Sequence, residues 1–249
     1  MLYAASFNEE ETGGGRTLGE FVSSCCPRLL KLFVCAPMGL SRLVLRAKEL
    51  EELHLVSARD LRTLDATVPN LRLLKLLCCF QDSLVPGSGS NVVSKVARIA
   101  SLRLEDVQMN HFLHCRRPDL DIYDLTSVRR LGDLRLDVHG RYCRIMDAGL
   151  WLLENCPNVE HVDVQLGHSD ANSGDFVDLT SEGAKPFDHR KRLKRSWKCF
   201  CDDLNISRSH EENLEYLGEV KISGFTGAEE DMDLVTMLFE SSNSIKSMT

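Results

Sequence analysis

Leu50-Glu-Glu-Leu53-His-Leu55 is followed, twenty-one residues on, by Leu71-Arg-Leu-Leu74-Lys-Leu76. Both stretches place an apolar residue, two free positions, a second apolar residue, one free position and a third apolar residue. With Val, Ile or Ala standing in for Leu, the same spacing occurs at Leu29/Leu32/Val34, Leu40/Leu43/Leu45 and Leu61/Leu64/Ala66. It returns at Ile99/Leu102/Leu104, Leu131/Leu134/Leu136, Val159/Val162/Val164 and Leu217/Val220/Ile222, which makes nine copies along the chain. A period repeated this often is the first thing a sequence reading must explain.

The last two apolar positions of each copy are two residues apart. In an extended chain such side chains share one face, and the residues between them point to the other. Each copy therefore reads as one short strand, apolar on one side. One such strand cannot bury its apolar face alone, but stacked copies share a continuous core. Taking alternate copies early in the chain, the starts fall at Leu29, Leu50, Leu71, Ile99, Leu131 and Val159, giving steps of 21, 21, 28, 32 and 28 residues. Those steps predict an α/β leucine-rich-repeat solenoid: a curved parallel sheet, with helices and short strands on the convex side. The copies at Leu40 and Leu61 are expected to form short convex strands. The stretch Cys143 to Cys156, with Met146, Leu150 and Leu153 at helical spacing and Pro157 after it, is expected to form a convex helix.

Three copies are introduced by related tetrapeptides, Cys26-Pro27-Arg28-Leu29, Val68-Pro69-Asn70-Leu71 and Cys156-Pro157-Asn158-Val159. Proline suits a strand approach, where its missing N–H costs little. The small residue before it is expected to tuck beneath the strand, so its thiol is read as structural rather than reactive.

Composition narrows the function classes. The net charge of -7 and the pI near 5.6 disfavour a nucleic-acid binder, which needs concentrated positive surface. The ten cysteines include no Cys-x-x-Cys pair, so no zinc cage is expected. Glu9 to Glu11 interrupt the N-terminal stretch where a signal peptide would need its apolar run, and no apolar window is long enough for a membrane span. The reading is a cytoplasmic or nuclear protein with reduced thiols.

Pro69-Asn-Leu-x-x-Leu-x-Leu-x-x-Cys-Phe80 resembles the leucine-rich repeats of the plant F-box proteins. The C-terminal run Leu217-Gly-Glu-Val220-Lys-Ile222-Ser-Gly224-Phe225-Thr-Gly227 precedes an acidic stretch and Leu234-Val235-Thr-Met237-Leu238-Phe239. It resembles the FBD domain that closes many of those proteins, and Ile245-Lys-Ser-Met248 resembles that domain's last strand. The residues alone give the same local picture. Val220 and Ile222 form a strand face, Gly224 and Gly227 a turn, and Glu229 to Asp233 open a helix with Leu234, Val235, Leu238 and Phe239 on its apolar side.

The resemblance implies a substrate-recruiting subunit of an SCF-type (cullin) ubiquitin ligase, with the repeats holding a protein substrate. The adaptor contact is expected only with an F-box upstream, because the acidic residues before Cys25 are too few to supply one. The alternative is an adaptor-independent binding module, or a truncated competitor of full-length relatives. The expected organisation is a disordered tail over 1–24, repeats over 25–166, a polar then basic loop over 167–195 and an FBD-like domain over 196–249.

No catalytic motif emerges, and neither an enzyme activity nor a cofactor is expected. His111-x-x-His114-Cys115 falls short of a metal signature and Cys199-Phe-Cys201 reads as strand alternation. His189 to Arg195 is read as a hydrated basic loop following the polar stretch Ser169 to Gly183. Alternation assigns Phe33, His54, Lys75, Arg103, Arg135 and Asp163 to the concave, partner-binding face. Phe33, Arg103 and Arg135 are the expected anchors, since aromatic and arginine side chains dominate interfaces.

Overall fold

The computed structural model describes residues 2–7, 17–80, 95–110, 118–137, 148–167 and 214–249. In chain order the strands are β1 (Leu2–Tyr3), β2 (Lys31–Cys35), β3 (Arg42–Leu45), β4 (Glu52–Val56), β5 (Thr63–Thr67), β6 (Leu73–Leu77), β7 (Val96–Ala100), β8 (Asp106–Asn110), β9 (Asp119–Tyr123), β10 (Arg130–Asp137), β11 (His161–Gly167), β12 (Glu219–Ser223) and β13 (Ser247–Met248). The helices are α1 (Leu18–Cys25), α2 (Ala148–Asn155) and α3 (Glu229–Ser241). Among the described residues these strands form two sheets. A long sheet has the order β1-β2-β4-β6-β8-β10-β11-β12-β13, and a short one the order β3-β5-β7-β9. From β2 to β9 the chain alternates between them, and the strands of each sheet run parallel.

The register follows from the apolar spacing. Leu53 lies between Leu32 and Leu74, and Leu55 between Val34 and Leu76. In the short sheet Leu64 lies between Leu43 and Ala97, and Ala66 between Leu45 and Ile99. All of these side chains are buried, so each strand adds a layer to one core. Removing a buried leucine from water stabilises by roughly 2 kcal/mol, and a one-residue slip would forfeit it for the whole strand.

A second ladder fixes the strand starts. The Leu30 carbonyl accepts from the N–H groups of Glu51 and Glu52, and the Glu51 carbonyl from those of Arg72 and Leu73. The same forked bond continues through the carbonyls of Arg72, Glu105, Arg129, Glu160 and Gly218. The asparagines that follow proline join this side: Asn70 Nδ2 donates to the Lys48 carbonyl at 2.9 Å, and Asn158 Nδ2 to the Thr126 carbonyl at 2.8 Å. Val68 and Cys156, which precede those prolines, are fully buried, whereas Cys26 is half-buried.

The copies at Leu40 and Leu61 are the short-sheet strands β3 and β5. Two other registers differ from the sequence reading. Ile99, Leu102 and Leu104 do not form one strand: Ala97 and Ile99 belong to β7, Leu102 is 63% exposed, and Leu104 is the leading apolar residue of β8, followed by Val107 and Met109. Ser101 divides them, its buried hydroxyl donating to the Leu71 carbonyl at 2.8 Å. In β10 the leading residue is Val128, followed by Leu131, and the pairing with β11 shifts between Leu131 and Leu134. Asp133 has φ +53° there, the mark of an inserted bulge residue.

The segment expected to be a disordered tail contributes β1 and α1. Thr17 and Glu20 form a reciprocal capping box, satisfying two backbone donors at the helix start. Leu18 and Val22 are buried, and α1 packs on β3. The acidic and glycine-rich residues before Thr17 mask this short amphipathic run in a composition-based reading.

At the C-terminus β12 lies between β11 and β13. Gly224 and Gly227 adopt φ values of +77° and +82°, as the glycine turn requires. Asp231 is buried and its Oδ2 accepts from the Thr226 N–H, the Thr226 hydroxyl and the Gly227 N–H, tying the loop to the first turn of α3. Leu234 and Leu238 are buried, whereas Phe239 is 50% exposed and does not share their face. No helix among the described residues is long and apolar enough to cross a membrane.

Candidate binding face of the long sheet

Alternation leaves three outward rows across the long sheet, each connected strand to strand by the register. The first runs through Lys31, Glu52, Leu73, Asp106 and Arg130. The middle row joins Phe33, His54, Lys75 and Gln108, and beyond the β10 bulge it continues with Asp163 and Lys221. The third row joins Tyr3, Cys35, Val56, Leu77 and Asn110 on one side of the bulge, and Arg135, Gln165 and Ser223 on the other.

Four of the six residues expected on this face thus occupy the middle row: Phe33, His54, Lys75 and Asp163. Arg103 does not. It lies between β7 and β8 outside any strand, and Gln108 takes its place because the apolar register of that turn begins at Leu104. Arg135 faces outward but in the third row, since the inserted residue in β10 advances it one position. Gln108 was missed because the sequence contains an earlier apolar triplet with the same spacing.

The first two rows are largely self-neutralising. Lys31 Nζ is 2.7 Å from Glu52 Oε1, and His54 Nε2 is 3.2 Å from Glu52 Oε2. The Lys31 ammonium holds the Glu52 carboxyl below its usual range, more than burial raises it. The Phe33 and His54 rings meet at a centroid distance of 5.6 Å and an angle of 37°. Lys75 Nζ donates to Gln108 Oε1 at 2.7 Å and to Asp133 Oδ2 at 2.9 Å. Burial raises the Asp106 pKa, opposed by its hydrogen bonds from Gln108 Nε2 and by Arg130. Lys221 Nζ donates to Asp163 Oδ2 at 2.7 Å, and His161 Nδ1 lies 3.0 Å from Glu219 Oε2.

The third row is built differently. Cys35, Val56 and Leu77 are half-buried and apolar, with Tyr3 exposed at the row's edge. The residues that follow them, Ala4, Ala36, Ser57 and Cys78, all adopt positive φ near 50°. Each donates its N–H to the next strand, in the order Cys35, Val56, Leu77 and Asn110. A left-handed residue thus ends β1, β2, β4 and β6 at one rim of the sheet.

No three His, Cys, Asp or Glu side chains among the described residues are grouped to hold a metal ion. The buried thiols are held in their neutral form, burial pushing both Cys79 and Cys156 up to about 12. The readings at Met146, His111 to Cys115, Ser169 to Gly183, His189 to Arg195 and Cys199 to Cys201 lie outside the described residues. Compared with protein-family models, with curated proteins and with solved structures, the chain gives no match.

Proposed function

We propose that the chain is a leucine-rich-repeat solenoid whose long sheet forms the concave, protein-binding face. In this reading it is the substrate-recognition part of an SCF-type (cullin) ubiquitin ligase F-box protein, closed by an FBD-like unit of β12, α3 and β13. It binds a protein substrate in the cytoplasm or nucleus, and the ubiquitin chemistry belongs to other subunits. It needs no cofactor and performs no catalysis itself.

One observation carries the reading: outward side chains from strands as far apart in sequence as β2 and β8 are brought into adjacent columns by a constant register. Such a surface presents a broad, ordered set of contacts, which suits recognition of another protein. The acidic chain and the paired charges of the first two rows fit a protein ligand better than a nucleic acid.

The test is affinity capture by the native chain, compared with a Phe33→Asp, Gln108→Arg variant that keeps the fold by circular dichroism. Loss of the captured protein in the variant supports the reading, and unchanged capture contradicts it. Co-purification of the cullin adaptor with the protein isolated from its own cells separates the two forms of the proposal: adaptor recovered with it favours the ligase subunit, and its absence favours an adaptor-independent module or competitor.

A further inference from the structure

Among the described residues the third row combines apolar surface with two polar atoms left without partners. Val56 and Leu77 lie side by side in register, and Leu77 is followed by Asn110. Among the described residues the buried Asn110 Oδ1 atom accepts no hydrogen bond. On the other side of the bulge Arg135 has a buried Nε that donates none, and among the described residues no ion pair involves Arg135. Elsewhere on this face Lys31, Lys75, Arg130 and Lys221 each have a carboxylate within ion-pair distance.

An unpaired buried donor or acceptor costs roughly 1–3 kcal/mol, and both residues are only half-buried as a whole, so a ligand that completes the Arg135 donor and the Asn110 acceptor is favoured. Three requirements define one kind of partner. Apolar side chains must cover Val56 and Leu77, a carboxylate must meet the Arg135 guanidinium, and an N–H must reach Asn110. An extended polypeptide has backbone N–H groups along its length and alternates its side chains, so it can supply all three. A guanidinium favours a carboxylate because its planar donors match two oxygens at once.

We propose that this row is the primary docking strip, and that it takes an extended peptide segment carrying alternate apolar residues next to an Asp or Glu. The proposal rests on the reading of the long sheet as the binding face, and adds the chemistry of what binds. Recognition is centred on Val56, Leu77, Asn110 and Arg135, while the ion-paired middle row frames it.

The experiment is selection of phage-displayed random twelve-residue peptides on the immobilised full chain. Enriched peptides are then synthesised with a fluorophore and titrated by anisotropy. Peptides with alternating apolar residues and an acidic residue are the expected result. Arg135→Gln weakens them roughly tenfold, the scale of a charged hydrogen bond. Asn110→Asp, nearly isosteric, weakens them as well by placing a like charge against the acid. If Arg135→Gln unfolds the chain, the Asn110→Asp comparison decides. Enriched peptides that are basic or purely polar, or acidic ones indifferent to both substitutions, overturn the proposal but leave the long sheet as a binding face. Recovery of no peptide from repeated selections overturns both.

Discussion

Lys75 on β6 reaches across β8 to Asp133 on β10, its Nζ 2.9 Å from Asp133 Oδ2, although the two residues are 58 positions apart in sequence. The bulge in β10 makes this contact available, because Asp133 is the inserted residue. A lysine that looks like a free hook in the sequence is therefore part of the sheet's internal wiring. Its side chain is 24% exposed and that of Asp133 47%, so solvent screening limits the energy of the pair. A double-mutant cycle with Lys75→Met and Asp133→Asn is expected to give a coupling of about 0.5 kcal/mol, read from urea midpoints. A coupling indistinguishable from zero would show that the pair does not brace β6 against β10.

Gly19 gives the sharpest test of the N-terminal helix. A Cβ placed there would lie 1.9 Å from the Val44 carbonyl oxygen, a clash with backbone that only movement of α1 can relieve. Gly19→Ala ordinarily favours a helix by about 1 kcal/mol. Here it is expected to lower stability by roughly 2 kcal/mol, the scale of an overpacked core site, with a lower thermal midpoint. A rise in the midpoint would mean that α1 does not pack on β3.

The left-handed rim makes an opposite prediction. Ala36 has φ +47°, a conformation that costs a non-glycine residue roughly 1–2 kcal/mol. Glycine removes that strain but gains unfolded-chain entropy worth about 0.5–1 kcal/mol. Ala36→Gly is therefore expected to be neutral or to stabilise by up to about 1 kcal/mol, while Ala66→Gly, in the buried strand β5, destabilises. Thermal midpoints of the two variants give the comparison.

Two carboxylates predict opposite responses to pH. The folded pKa of Glu52 is depressed, chiefly by the hydrogen bond from Lys31, so its contribution is present above the unfolded value and is lost as pH falls through the folded one. Asp106 is raised, chiefly by burial, so folding loses stability as pH rises from the unfolded value through the folded one. Glu52→Gln is expected to flatten the acid side of the stability profile, and Asp106→Asn to steepen it. Chemical denaturation between neutral pH and the carboxylate range measures both.

Thiol labelling tests the core. Cys79 and Cys156 are buried with thiols pushed up to about 12, whereas Cys25 is exposed. Under native conditions Cys25 is expected to react with a thiol reagent promptly, and Cys79 and Cys156 only on unfolding. Mass spectrometry of timed digests identifies which have reacted.

Strand positions were legible wherever one apolar triplet was the sole candidate, as at Leu53/Leu55 and Leu74/Leu76. The reading failed at Ile99/Leu102/Leu104 because spacing cannot tell a strand from two half-strands separated by a turn, and the deciding group is the buried Ser101 hydroxyl. It misplaced Arg135 because a bulge adds a residue without altering local apolar content. The outward row of Phe33, His54 and Lys75 followed from alternation, but their pairing did not. Whether a charge is free or occupied depends on neighbours 21 to 58 residues away, such as Lys31 with Glu52 and Lys75 with Asp133.

The most direct test of the binding-face account places a photo-crosslinking amino acid at one of two outward-facing strand positions in the intact chain, the first half-buried and the second exposed. One is position 54, in the middle row of the long sheet; the other is position 98, on β7 of the short sheet. After irradiation in extracts of the protein's own cells, adducts are identified by mass spectrometry. The account predicts a reproducible protein adduct from position 54 that is absent from position 98. The same adduct from position 98, in equal or greater yield, would contradict it.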